Sequence, residues 1–572
     1  MNDLKKTFLA GFFVLLILLL TPYYLQLIGY QDVVVEQAET ATEQAVGDNS
    51  KQKTSVSLPP VIPSPVPSGN INTSEQTFRV ESLLYQADIS TIGGGSFENY
   101  ILMEDGTNKY LGGYTEQGLY QDSINVSLVL DQKESCAPCV GVIYDGESEV
   151  LKVPFVMVDN NIFDLNRDIL INNEDSLLIT MQYSDSRFII EKTTTFFGDS
   201  FATEHIINAQ DIGGKLEQIY LIWDKGLRNT EKNLYDDVQT YSAAYISSNK
   251  EIEDLWFAPS SISDQTDPVS LSGVIDWAAI RTKYFITAFV PSGASFASID
   301  GSPYMLNQSE VVPSYSASVF SANNTLKSTL YVGPLDIDHV GKLNTSLDRI
   351  MNFGWFIIQP FSRGVLWLLK TMHSFGLNYG VILILFAFLI RIITGPLMKK
   401  SFESSQNMQT VQPKLKKLQE KYKNDSQKLN QEMVKLYRQE GVNPLGGCLP
   451  MLLQMPLLFS LFLVFRSTIE FRGAPFFGWI SNLAQPDTIF YLPFNVPIYG
   501  DQVAFLPILL GISMFLTQKM SMANMDSQQK PFMYIMSAFF FLIFNSFPSG
   551  LNLYYLVYNI LNYMQQKSLK KA

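Results

Sequence analysis

The sequence predicts an α-helical polytopic membrane protein, six spans with a five-helix core, that carries a large all-β domain of sandwich type and a helical hairpin. Three features lead there. Apolar runs of membrane-crossing length gather at the very start and in the last third of the chain, with lysines between them. Between about 78 and 341, short Val/Ile/Tyr/Phe/Thr runs alternate with Gly, Asn and Asp. Charge is divided as sharply: residues 31–350 hold 19 Lys+Arg against 44 Asp+Glu, while the remainder of the 572 residues carries a net +12. An acidic soluble half argues against nucleic-acid binding. Basic loops between apolar runs place those loops on the cytoplasmic side.

In chain order, residues 1–30 read as an uncleaved anchor. Lys5 and Lys6 precede an apolar run, Pro22, Tyr23 and Tyr24 close it, and no small-x-small cleavage site follows. Residues 31–75 form a linker rich in Gln, Glu, Thr and Ser, then in prolines from Pro59 to Pro67, which cannot bury a core. Residues 76–350 are the β-domain, where FRVESLLYQADIS, FIIEKTTTFF, KLEQIYLIWD, KYFITAFVP and KSTLYVGPL read as strands. Gly213, Gly214 and Lys215 lack the spacing and hydroxyl of a phosphate loop. Three cysteines and three histidines leave no zinc site in view, and no cofactor is expected. Cys136 and Cys139 form CAPC, a pattern open to redox, metal or structural use. With strand-like flanks and no helix at the first cysteine, a structural disulfide in a turn is favoured. Cys448 reads as packing.

Residues 351–373 fit an amphipathic helix in the membrane interface, with Ile357, Phe361, Val365, Leu368 and Met372 on one stripe and Gln359, Arg363 and Lys370 off it. The core occupies 374–566. Its first span, 377–398, contains one charged residue, Arg391, which costs roughly 2.5–3.5 kcal/mol at a helix centre on insertion scales. Residues 399–443 form the hairpin. Met408, Val411, Leu415, Leu418 and Tyr422, then Leu429, Met433 and Leu436, keep heptad spacing, and KNDS at 423–426 supplies a turn and an N-cap. Pro413 is expected to kink or restart the first helix. Between 399 and 440 there are 10 Lys+Arg and 5 Asp+Glu, an excess that positive-inside bias explains, as does contact with anionic lipid or ribosomal RNA. Further spans fall at 449–465, 503–520, 531–546 and 549–565. The loop at 466–502 is outside, and the short basic tail 567–572 is inside.

The spans carry polar stripes. Tyr534, Ser537, Phe541 and Asn545 share a face, as do Asn552, Tyr555, Asn559 and Asn562; Ser513 and Thr517 are one turn apart, and Gln454 lies in MLLQMP. Such residues glue helices together, or they line a wet cavity that solvates Arg391. Arg391 itself either faces that cavity or snorkels to the headgroups. The candidate groove set is Arg391, Thr394, Gln454, Ser513, Thr517, Gln518, Ser537, Asn545, Asn552, Tyr554, Tyr555 and Asn559.

NPLGGCLPMLLQMPLLFSLF (443–462) resembles the signature of the YidC/Oxa1/Alb3 membrane protein insertases, and FLIRIITGPL (388–397), LPILLGISMFLTQKMS (506–521) and FPSGLNLYYLVYN (547–559) extend the likeness. STIGGGSFENYIL (90–102), DWAAIRTKYFITAFVP (276–291) and YVGPLDID (331–338) resemble the periplasmic domain of the Gram-negative type. The resemblance implies a groove open to cytoplasm and lipid, with Arg391 receiving polar parts of substrate proteins and Tyr554 and Tyr555 beside the sliding transmembrane segment. It also implies a β-sandwich like sugar-binding and mutarotase folds, and a non-enzymatic insertase and chaperone of the bacterial inner membrane. Both termini would be cytoplasmic and the large domain periplasmic. Implied partners are nascent inner-membrane proteins, the Sec translocon, the lipid bilayer and, through the basic hairpin, the ribosome. The chain departs from the pattern at Ala387, where relatives often have a hydroxyl. Its tail is short, and FYLPFNVPIYGDQV (490–503) and CAPC look like local additions. Two alternatives from other classes are a membrane-anchored sugar or envelope-polymer enzyme acting through the β-domain, and a small-solute transporter.

Overall fold

The computed structural model describes residues 74–104, 106, 110–130, 136–158, 168–257, 267–308, 310–423, 425–442, 449–496, 499–522 and 530–571. The anchor expected over 1–30, nearly all of the linker and Cys448 lie outside these residues. The unit described here is Glu75–Ala572.

Alternation of buried and half-buried residues builds the β-domain. The strand Phe188–Phe197 alternates without a break, so Phe188, Ile190, Lys192, Thr194 and Phe196 all point inward. It lies within a nine-stranded sheet whose centre also includes Phe285–Ser292, Thr325–Pro334 and Ala202–Asp211. A six-stranded sheet, with Phe296–Met305, Val311–Ser321, Leu216–Trp223 and Cys139–Tyr144 at its centre, packs on it. Trp223 and Trp277 are fully buried between layers. Their indole N–H groups donate to the Gly226 carbonyl at 2.7 Å and to Ser346 Oγ at 3.1 Å, so neither carries an unpaired donor inside. Cys136 and Cys139 are joined as a disulfide at the start of its strand. The turn of STIGGGSF lies on that bridge: Gly93 has φ +65°, and a Cβ there would collide with Cys139 Sγ.

Nine helices are described: α1 (Leu234–Thr240), α2 (Ile337–Gly341), α3 (Gln359–His373), α4 (Tyr379–Lys421), α5 (Ser426–Gln439), α6 (Leu449–Ser467), α7 (Phe505–Met522), α8 (Lys530–Phe544) and α9 (Ser549–Lys571). Helix α9 is the hub, packed on α4 and α7, while α3 packs on α6 and α4. Among the described residues, Tyr379–Met408 is the stretch both long and apolar enough to cross a membrane unaided; Gln454–Ser467 and Phe505–Lys519 are shorter apolar helices.

Of the two courses expected at Pro413, a kink or a restart, the restart does not occur: α4 runs through Pro396 and Pro413 for 43 residues. Each proline removes one rung of the helix ladder, and in an exposed arm water can take the freed carbonyl. The turn and cap that follow are as expected, with Asp425 accepting from the Lys428 N–H at 3.0 Å. Val411 and Leu436 are buried in the seam between α4 and α5. Helix α3 buries a face made of Ser362, Val365, Leu366 and Leu369, while Ile357 and Phe361 of the expected apolar stripe are exposed, as is Trp367. The face is set by packing on α6 and α4 and by ion pairs. Arg363 binds Asp348 at 2.8 Å, and Lys370 is enclosed by Asp336, Asp338 and Glu470.

Candidate functional site

The site begins with α4. Asn378 caps it by accepting from the Gly380 N–H at 2.8 Å, and its own amide holds the Pro475 carbonyl at 2.7 Å. The apolar run that follows can only be buried or face lipid, and Arg391 interrupts it. The guanidinium is buried, its Cζ 5.7 Å from the centre of the Tyr558 ring on α9. Nη2 donates to the side-chain oxygen of Gln565, whose amide reaches back to the Gly395 carbonyl at 3.4 Å. Nε and Nη1 have no hydrogen-bond partner among the described residues. An unmet buried donor costs about 1–3 kcal/mol, more when charged. The side chain turns against α9 and reaches Gln565, at the end of the last expected span.

Beyond Tyr558 lies a cavity of about 280 Å³. Gln454, Tyr555, Tyr558, Asn559 and Asn562 supply its polar wall, four of them along one face of α9. Met398, Leu458, Leu510, Met514, Phe540 and Phe544 supply the apolar wall. The hydroxyls of Tyr554, Tyr555 and Tyr558 are buried without hydrogen-bond partners among the described residues. Tyr554 stacks on Tyr558 at 5.9 Å and meets Phe386 at 5.5 Å. Two phenols and three amides therefore border one space of mixed polarity, with Arg391 and Tyr554 packed behind Tyr558. Such a space can hold water or a polar segment, with Arg391 favouring groups that carry negative charge or exposed carbonyls.

The structure brings Gln454, Tyr555 and Asn559 to the cavity, while Arg391 and Tyr554 each meet Tyr558, which lines it. The other candidates have local partners. Thr394 Oγ1 donates to the Ile390 carbonyl, Ser513 Oγ to Leu510 and Thr517 Oγ1 to Ser513, each within its own helix. Ser537 donates to Gln518 between α8 and α7. Asn545 is a buried staple that donates to the Tyr499 and Gln502 carbonyls at 2.8 and 2.6 Å and accepts from the Ala504 N–H. Asn552 donates to the Phe544 and Phe547 carbonyls, capping the end of α8. Tyr558 and Gln565 were not foreseen. Gln565 continues the stripe of Asn552, Tyr555, Asn559 and Asn562 by three residues, and Tyr558 is one turn from both Tyr554 and Tyr555, so the signal was present in the spacing.

The β-domain is fastened to the outer ends of these helices by buried charge. Arg472 Nε donates to Glu231 at 2.6 Å, and its other nitrogens take the carbonyls of Leu111, Gly112 and Thr230. Arg466 and Lys283 share Asp236. Glu470 is pushed up to about 7 by burial and then by the neighbouring Asp336 charge, against the pull of Lys370. Asp336, although buried, is held below the usual carboxylate range by Lys370. Among the described residues no cluster of three or more His, Cys, Asp or Glu side chains could hold a metal.

Comparison with known proteins places these features in a family. The profile of the 60Kd inner membrane protein family matches residues 370–572, and that of the YidC periplasmic domain matches 121–368. Proteins named membrane protein insertase YidC are similar to this chain: 37% identical over 394 residues in Chlorobaculum tepidum and 38% over 396 in Prosthecochloris aestuarii. The matched stretches cover 67% and 66% of this chain and span 65% and 66% of those relatives' lengths. The solved structure of an active YidC insertase with its first transmembrane domain resolved aligns at a TM-score of 0.33 and 17% identity, covering 86% of this chain and 92% of that one. The chain belongs to the YidC/Oxa1/Alb3 family, in the form that carries a large β-rich periplasmic domain.

Proposed function

We propose that this chain inserts and helps fold integral proteins of the inner membrane through a hydrophilic groove centred on Arg391. The observation that carries this is the buried guanidinium, two of whose donors have no partner among the described residues, set against Tyr558, which belongs to the polar wall of a cavity whose other wall is apolar. A polar segment entering hydrocarbon loses several kcal/mol for each unsatisfied backbone group. A wet half-membrane cavity shortens the dry path, and a fixed positive charge draws acidic or dipolar segments into it. Burial of the client's own apolar helix in lipid then supplies the driving force.

The remaining topology follows the charge pattern. Six spans have both termini cytoplasmic and the β-domain outside; helices α4, α6, α7, α8 and α9 fall where five of them are expected. The arm formed by the end of α4 and by α5 stands in the cytoplasm, where its basic surface meets anionic lipid or the ribosome. Clients arrive alone or beside the Sec translocon.

The test is photocrosslinking from Asn559 and Gln454 to stalled nascent membrane proteins in cells. Crosslinks to the polar segment that precedes the client's span are the expected result. Contact restricted to lipid, with clients captured nowhere in the core, would overturn the reading.

A further inference from the structure

We infer that the hairpin between α6 and α7 is a membrane-embedded element, immersed in the headgroup layer of the outer leaflet. It rests on the reading above, in which α7 and α8 cross the bilayer.

The hairpin pairs Thr488–Val496 with Gly500–Ala504. Ile489, Phe490, Tyr491 and Phe494 are 49%, 51%, 59% and 62% exposed. Because neighbouring strand residues point to opposite faces, both faces of the hairpin present apolar rings. An isolated two-stranded sheet is marginal in water, and a two-sided aromatic one is a liability there. Two observations say what covers it. The first is position. Asn545, just past the end of α8, holds the hairpin through Tyr499, Gln502 and Ala504. The ring of Tyr499, at the hairpin's turn, meets Phe541 at 5.9 Å. Phe541 lies four residues before Asn545, about 6 Å down the helix. The turn therefore lies beside the last turn of α8, and α7, which leaves the hairpin directly at Phe505, exposes its own apolar side chains Ile512, Phe515 and Leu516. The second is charge. Between 488 and 504 the sole charged residue is Asp501, so nothing there attracts a charged protein partner or an anionic headgroup. Aromatic rings with few charges are what the membrane–water boundary takes up.

The experiment uses the full chain with Cys448→Ser, reconstituted in phosphatidylcholine vesicles. A fluorescent thiol label is placed at Phe490→Cys, at Tyr491→Cys on the opposite face, or at Leu385→Cys in α4 as the spanning control. Lipids bearing a nitroxide near the headgroup should quench both hairpin labels by roughly half, aqueous iodide should reach them poorly, and added phosphatidylglycerol should change nothing. Either hairpin label open to iodide and dark to lipid, with Leu385→Cys quenched from the chain middle, overturns the inference and leaves the spanning reading standing. Failure of lipid quenching at Leu385→Cys overturns both. Shielding from iodide that disappears on dilution of the protein in the membrane would mean a second copy covers the hairpin, which also overturns it.

Discussion

Arg472 and Glu231 are 241 residues apart in sequence and meet at 2.6 Å in a buried ion pair, the one from the loop after α6 and the other from the β-domain. Removing one partner of such a pair leaves an uncompensated buried charge and costs about 3–5 kcal/mol. Arg472→Met should therefore loosen the attachment of the β-domain, seen as faster proteolysis of the full-length protein at the seam. Combining it with Glu231→Leu should recover part of the loss. Unchanged proteolysis in the single variant would count against the seam as a structural joint.

Arg391→Ala should lose most insertion activity, and Arg391→Lys should keep a substantial share, because the charge matters more than the fork. The loss should be larger for a client with an acidic outer segment than for a neutral one. Losing one charged hydrogen bond of about 1.5–3 kcal/mol corresponds to a roughly ten- to hundred-fold slower committed step. Protease protection of the two clients, in cells depleted of wild-type protein, measures this. Equal insertion of both by the Ala variant, with its own spans correctly placed, would sink the groove arginine.

Glu470 gives the seam a pH dependence. Its folded-state value near 7 lies above the ordinary 4.5, so the folded protein binds the extra proton between these values. The stability it contributes is complete below about pH 4.5 and is lost as pH rises towards and through 7. Glu470→Gln should flatten that part of the stability profile. Denaturant melts of the purified protein at pH 5 and 8 compare the two, and parallel profiles would remove the effect.

Deleting 405–440 should abolish insertion while the spans stay in place. The heptad seam with Val411 and Leu436, and the Lys414–Glu440 pair at 2.6 Å, make the arm a folded unit rather than a solvated loop. Full activity after deletion would reduce it to a linker.

Replacing both Cys136 and Cys139 by serine should lower the melting temperature of the β-domain modestly and leave insertion intact, since a bridge that closes so short a loop constrains the unfolded chain little. Loss of insertion at unchanged melting temperature would point to redox work instead.

What the sequence made legible was whatever depends on near neighbours. Arg391 stood out because it is the lone charge in an apolar run, and the stripe of Tyr555, Asn559 and Asn562 because helical spacing is local. The role of Asn545 was hidden. The same amide could line a cavity or staple a loop, and its partners at Tyr499, Gln502 and Ala504 lie over 40 residues away. The packed face of α3 was hidden for a related reason: the carboxylates that Arg363 and Lys370 meet, as distant as Glu470, are brought there only by the fold. Strands of the β-domain were legible from alternation, but which strands share a sheet is decided by pairings across more than 100 residues, such as Ala202 with Tyr331.

The unbroken course of α4 gives the molecule a lever. Thirty residues separate Arg391 from Lys421 on one helix, about 45 Å at 1.5 Å per residue. A tilt of about 5° at Arg391, carried along that length, swings the far end by about 4 Å. On the topology proposed above, whatever grips the arm thereby acts on the same helix that carries the groove arginine.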